Sequence, residues 1–191
     1  MPKPLKASII IPSIGRTEAL NDCLKSLEEQ SVKPYEIIIE TEEGPLAKIR
    51  NQGAKKSNGD ILIFTDDDVI YDRKWLQSIV EGFRREGRIG GVSGPSFIRK
   101  ENRKNRDIFR WRLISQIYNY LFLEGLERMP GHITRAGAWT TGACYEECDY
   151  DGEVEFLEAC NSAYKREAFE KVGGFDESYK GIGDWSEPDL S

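Results

Sequence analysis

The sequence predicts an α/β protein with a Rossmann-like, doubly wound and mostly parallel sheet carrying helices on both faces. Three observations lead there. Short apolar runs alternate with stretches whose apolar residues recur at helical spacing through the first half of the chain. The runs are continuously apolar, as in strands buried on both faces. The connections between them are short and punctuated by Gly, Pro, Ser and Asn.

Ala7 to Ile11 is the first such run and Pro12 ends it. Leu20, Cys23, Leu24 and Leu27 then line one face of a helix over residues 17–30. Tyr35 to Ile39 reads as a second strand. Gly44-Pro45 opens a second helix, because proline suits a first turn, and Ser57-Asn58-Gly59 closes it. Ile61 to Thr65 gives the third strand. Trp75, Leu76, Ile79, Val80 and Phe83 mark a third helix, and Ile89 to Ser93 a fourth strand.

The character changes after Gly94-Pro95. Residues 99–112 hold seven basic side chains against Glu101 and Asp107, and the aromatic-rich residues 108–123 read as helical. Asp149, Asp151, Glu153 and Glu155 alternate with Tyr150, Val154 and Phe156, which predicts a strand with one acidic and one packed face. Ala168 to Phe175 reads as a short helix end running into Gly173-Gly174. With 191 residues and no repeat or low-complexity linker, the expectation is a single domain over 1–191 with two halves, 1–95 and 96–191.

Composition narrows the function. A hydrophobic share of 39% supplies a real core, and a net charge of −6 argues against a general nucleic-acid binder. The N-terminal stretch has no signal-peptide pattern and no window is apolar enough to span a bilayer, so a cytoplasmic setting is expected. Cys23, Cys144, Cys148 and Cys160 are too scattered for a disulfide scaffold; Cys144 and Cys148 with His132 make a weak zinc pattern, and reduced thiols are expected. With one histidine in the chain, a Ser-His-Asp triad is unavailable.

The chemistry concentrates at "ILIFTDDDVI", where an apolar strand runs into Asp66, Asp67 and Asp68. Adjacent carboxylates repel and resist desolvation, so a positive partner is expected. In an open parallel sheet, ligands bind at the carboxyl ends of the strands. Carboxylates there suit a hard cation, Mn2+ or Mg2+, carried in with a diphosphate. A solvated acidic turn capping the next helix is the bland alternative. An EF-hand lacks its glycine and distal glutamate.

In order along the chain, "SIIIPSIGRTEALNDCLKSL", "EIIIE", "GPLAKIRNQGAKKSNGDILIFTDDDV", "NSAYKREAFEKVGGFDESY" and "DWSEPDLS" resemble the family 2 glycosyltransferases of GT-A fold. Only residues 96–150 lack a counterpart. The resemblance implies a nucleotide-sugar-binding half over 1–95 and an acceptor-side half over 96–191. It implies transfer of a hexose-type sugar, with inversion, from a nucleotide-diphosphate sugar to an acceptor hydroxyl on a glycan or lipid-linked molecule. Pro12 and Ser13 would lie near the nucleotide, and Glu40 where the family reads the base. Arg50 matches the arginine of an Ala-Arg-Asn motif, although Ile49 precedes it here. Asp66 would face the ribose, and either Asp67 or Asp68 would hold the metal. Lys48 and Arg50 would assist at the diphosphate.

For the base, aligning on Asp189-Leu190 puts Glu187 where the family has aspartate, with Asp184 as the second candidate. The family pattern generally continues further, so residues 185–191 are expected to need anchoring from elsewhere, as in a fragment of a longer protein. The basic and aromatic stretch 99–123 suggests peripheral membrane contact, with a packed helix as the plainer reading. Two other functions compete. One is a haloacid-dehalogenase-like phosphatase using Asp66 as nucleophile; the other is a sugar-nucleotide-binding module without turnover.

Overall fold

The structure is a computed structural model, and it describes residues 4–178 apart from 16, 86–88, 97–120, 122, 124, 125, 127, 128, 136, 138, 142–149 and 159. Its order is β1 (Ala7–Pro12), α1 (Thr17–Glu28), β2 (Glu36–Glu40), α2 (Leu46–Lys56), β3 (Ile61–Thr65), α3 (Trp75–Arg85), β4 (Gly91–Ser93), β5 (Pro130–Ile133), β6 (Trp139–Thr141), β7 (Asn161–Lys165) and α4 (Arg166–Val172). The helix expected within 108–123 and the pair Cys144 and Cys148 fall outside the described residues, apart from Leu121 and Leu123.

The five-stranded sheet has the order β2-β1-β3-β7-β4. β1 pairs in parallel with β2 and β3, while β7 runs antiparallel to both β3 and β4. Four strands therefore share one direction and β7 opposes them. Strand side chains alternate across the sheet. Ile9, Ile11, Ile61 and Ile63 pack with Cys23 and Leu27 of α1 and with Leu76, Ile79 and Val80 of α3. Ile10, Leu62, Phe64 and Tyr164 pack on the other face with Ala47 and Ala54 of α2, Phe169 of α4 and Phe175. Helices thus cover both faces, and β1 and β3 are buried throughout.

The described residues up to Gly94 and from Leu157 onward form one compact unit, and those between Pro95 and Phe156 another. The first break falls where the composition changes, but the chain then returns to complete the sheet. In the second unit β5 and β6 form an antiparallel hairpin with a register shift between Pro130 and His132.

The strand expected around residues 149–156 is not formed: residues 150–158 are irregular. The backbone N–H groups of both Glu155 and Phe156 donate to the single carbonyl of Gly131, and the Glu155 carboxylate accepts from Ile133 N at 2.6 Å. Asp151, Glu153 and Glu155 are nonetheless exposed and Phe156 is buried. The alternating pattern sets burial without a ladder, because the partner hydrogen bonds go to one carbonyl and one side chain.

Candidate active site

The carboxyl ends of β1, β2 and β3 meet at one rim, as the parallel pairing requires. Pro12 ends β1 opposite Glu40 at the end of β2. Ser13 follows and donates its backbone N–H to the Glu40 carbonyl at 2.8 Å. Next along the rim, β3 delivers the three aspartates.

Their side chains go to different places. The Asp66 carboxylate is 37% exposed and lies 3.4 Å from the guanidinium of Arg50, which is itself buried. Asp67 is fully buried, and its Oδ2 accepts a 2.7 Å hydrogen bond from Ser13 Oγ. Asp68 is exposed. The positive partner implied by the sequence is therefore supplied in part from within the chain, by Arg50 on α2. Low-dielectric surroundings strengthen such a pair, and the planar guanidinium also lies over the Phe175 ring, 5.8 Å from its centroid.

Lys48 is exposed, unlike Arg50. Residues two apart on a helix do not share a face, so the two cations cannot serve one ligand from α2 in the same way. Glu40 is the poorest match to its expected place. Its side chain is 3% exposed, and Oε2 pairs with Lys56 Nζ at 2.7 Å, which raises the Lys56 pKa. Oε1 has no hydrogen-bond partner among the described residues. Glu187 and Asp184, the two candidates for the base, lie outside the described residues.

Asn51 was missed by the sequence reading although it stands next to Arg50. Its Nδ2 donates to the Phe175 carbonyl and to Glu177 Oε1, both at 2.9 Å, and its Oδ1 accepts from Phe175 N at 3.0 Å. The Gly173-Gly174 turn makes this latch possible. Gly174 has φ +82°, and a Cβ there would stand 2.7 Å from Asn51 Oδ1. α2 thus holds Asp66 with one residue and the segment after α4 with the next. An asparagine among lysines and arginines carries no signal by type alone.

Beneath the triplet, Thr65 Oγ1 is hydrogen-bonded to the Tyr71 hydroxyl and donates to the Cys160 carbonyl at 3.0 Å. Tyr71 stacks on Trp75 with ring centroids 4.1 Å apart. Burial pushes the Tyr71 phenol far up. Burial likewise pushes the Cys23 thiol up to about 11; a hydrogen bond with Tyr71 opposes the shift and the three aspartate charges add to it. Both groups stay protonated and structural at neutral pH. In the second unit, His132 Nδ1 lies 3.8 Å from Glu155 Oε2. No cluster of three or more potential metal ligands exists among the described residues.

The family profile described as Glycosyl transferase family 2 matches residues 40–173, which contain the aspartate triplet, Arg50 and the strand–helix pair β7–α4. The chain belongs to that family. It is similar to the uncharacterized glycosyltransferase YwdF of Bacillus subtilis, 33% identical over 91 residues, which covers 35% of this chain and 34% of the relative. It is also 20% identical over 209 residues to a glucosyl-dolichyl phosphate glucuronosyltransferase of Haloferax volcanii, covering 90% of this chain and 56% of that one. Among solved structures, a mannosyltransferase of Pyrobaculum calidifontis in complex with GDP-Man and Mn2+ superposes with a TM-score of 0.57 at 15% identity, over 97% of this chain and 50% of that one. TarS of S. aureus gives 0.57 at 14% identity, over 97% and 53%. The fold is GT-A. The chain spans between a third and about half of the lengths of these relatives. No helix among its described residues is long and apolar enough to cross a membrane.

Proposed function

We propose that the protein transfers a sugar from a nucleotide-diphosphate sugar to an acceptor hydroxyl with inversion, assisted by a divalent cation. The observation that carries this reading is the rim of β3, where Asp66 and Asp68 reach solvent while a buried arginine pairs with the first of them. Family membership sets the phosphatase reading aside.

The donor set fits a hard cation of the Mn2+ or Mg2+ kind. Asp66 and Asp68 bring solvent-accessible carboxylate oxygens to the rim, the donor type of a metal that completes its shell with water and phosphate. Asp68 is the residue that would hold it. When bound, the cation supplies Lewis-acid neutralisation of the leaving diphosphate. The solved mannosyltransferase of the same fold holds Mn2+ with its donor, which supports this choice.

The remaining roles belong to the chain itself. Asp66, oriented by Arg50, faces the ribose. Pro12 and Ser13 line the nucleotide's approach. Base recognition by Glu40 requires its carboxylate to leave Lys56 and turn outward. Glu187, with Asp184 as the second candidate, accepts the proton of the acceptor hydroxyl. The acceptor oxygen bonds to the anomeric carbon as the bond from that carbon to the diphosphate oxygen breaks. A hexose or hexuronic acid as cargo and a lipid-linked acceptor are supported by the name of the Haloferax relative. Residues 99–123 are then the element to lie against an anionic membrane; vesicle co-sedimentation indifferent to anionic lipid would refute that part.

A thermal-shift panel of nucleotide-diphosphate sugars with and without Mn2+ tests the whole reading. A ligand at 100 times its dissociation constant adds about 2.7 kcal/mol. One donor should stabilise the protein, and only with the metal present. A panel with no stabilising member would reject the proposal.

A further inference from the structure

We propose that Asp67 is a positioning residue: its carboxylate draws Ser13 onto the end of β3 and so fixes the direction in which Asp66 and Asp68 leave the strand. The inference rests on the nucleotide-sugar reading above and deepens it by separating three aspartates that are identical by type. Asp67 is fully buried, and the hydroxyl that meets it belongs to Ser13, itself 5% exposed. Ser13 is fixed from a second side by its backbone N–H on the Glu40 carbonyl. One serine therefore ties the ends of three strands: β1 by covalent continuity, β2 through its N–H, and β3 through its hydroxyl at 2.7 Å.

A cation that keeps waters and a diphosphate in its shell needs a carboxylate that solvent can reach; Asp67 is fully buried and Asp68 is exposed. Three adjacent carboxylates would also splay to reduce their repulsion. Arg50 on Asp66 and Ser13 on Asp67 each oppose that, so the segment carrying the exposed Asp68 is held in place before any ligand arrives. Such ordering in advance lowers the entropy cost of binding.

The test measures Mn2+ binding with UDP or GDP present, by the electron paramagnetic resonance of free Mn2+. Asp68→Asn should weaken Mn2+ binding by more than about tenfold, through loss of a ligand charge. Asp67→Asn, whose amide oxygen still accepts from Ser13, should weaken it by less than about threefold. Ser13→Ala and Asp67→Ala should each weaken it by about tenfold, and the double variant by no more than the worse single. Ser13→Thr, which restores a hydroxyl, should recover most of the loss. If Asp67→Asn fails as badly as Asp68→Asn, Asp67 is a ligand and the proposal is overturned. Additive losses in the double variant overturn it too. Wild-type protein that holds no Mn2+ with either nucleotide fails the metal reading instead. The tie is then judged by thermal melting of the same Ser13 and Asp67 variants, where coupled shifts support it and additive shifts reject it.

Discussion

Asp68 and Glu187 divide the proposed chemistry between donor and acceptor, and single substitutions should separate them. Asp68→Ala should abolish metal-dependent donor binding and leave the fold intact, because an exposed side chain is lost. Calorimetry with Mn2+ checks this, and unchanged donor affinity would contradict the metal role. Glu187→Gln should lower transfer by ~10²–10⁴-fold with little change in donor affinity, as loss of a general base does. Near-normal transfer in that variant, together with a collapse in Asp184→Asn, would move the base to Asp184. Cys23 offers a pH test. Its folded thiol is raised from 9.0 to about 11, so the unfolded chain ionises first and stability falls as pH rises through that window. The contribution is complete below the lower value. By linkage the loss is on the order of 3 kcal/mol, and it should vanish in Cys23→Ala when denaturation midpoints are compared across the range. At this scale the sequence told much: the triplet and Glu40 were visible as types at strand ends, and Arg50 as a cation on the helix between them. It did not tell which aspartate turns inward, since that depends on where a serine from another strand stands.

α2 shows how an element can be read correctly and still hide its constraint. Its helix was legible from Pro45 at one end and Ser57-Asn58-Gly59 at the other. Gly53 in its interior looks like a weak point that alanine should improve by ~1 kcal/mol on propensity alone. The packing reverses that sign. A Cβ on Gly53 would stand 2.4 Å from Ile10 Cγ2 and 3.4 Å from Glu40 Cγ. Gly53→Ala should therefore destabilise by ~1–3 kcal/mol as the overpacked face of β1 gives way. Urea titration decides it, and a stabilised variant would show that Ile10 has room to move. β7 was the converse failure. Asn161-Ser162-Ala163-Tyr164-Lys165 offers no apolar run, yet all but its last residue are buried. The polar groups of Asn161 are satisfied by tertiary partners no local pattern can reveal. Asn161 accepts from Trp75 Nε1 at 2.8 Å and donates to the Gly94 carbonyl at 2.9 Å, and its own carbonyl accepts from Ser93 Oγ at 2.7 Å. β5 and β6 escaped notice because Pro130 and Gly131 resemble a turn.

For the molecule as a whole, the place of β7 between β3 and β4 has a consequence for how the chain reaches its native state. β3 and β4 are never neighbours, so the alternating first half cannot close its own sheet. Until the segment after Leu157 is available, β3 presents an open, largely apolar edge, and β4 has no partner strand among the described residues. Contacts such as that between Thr65 and the Cys160 carbonyl join positions 95 residues apart. Pairings so distant along the chain make for slow folding, and an uncovered apolar edge invites association with other chains. On a ribosome the first three strands and their helices emerge early and wait. A polypeptide ending near Gly94 would carry almost every donor-side residue named above and still be expected to aggregate. The strand that looks least like one in the sequence is the strand on which assembly of the rest depends.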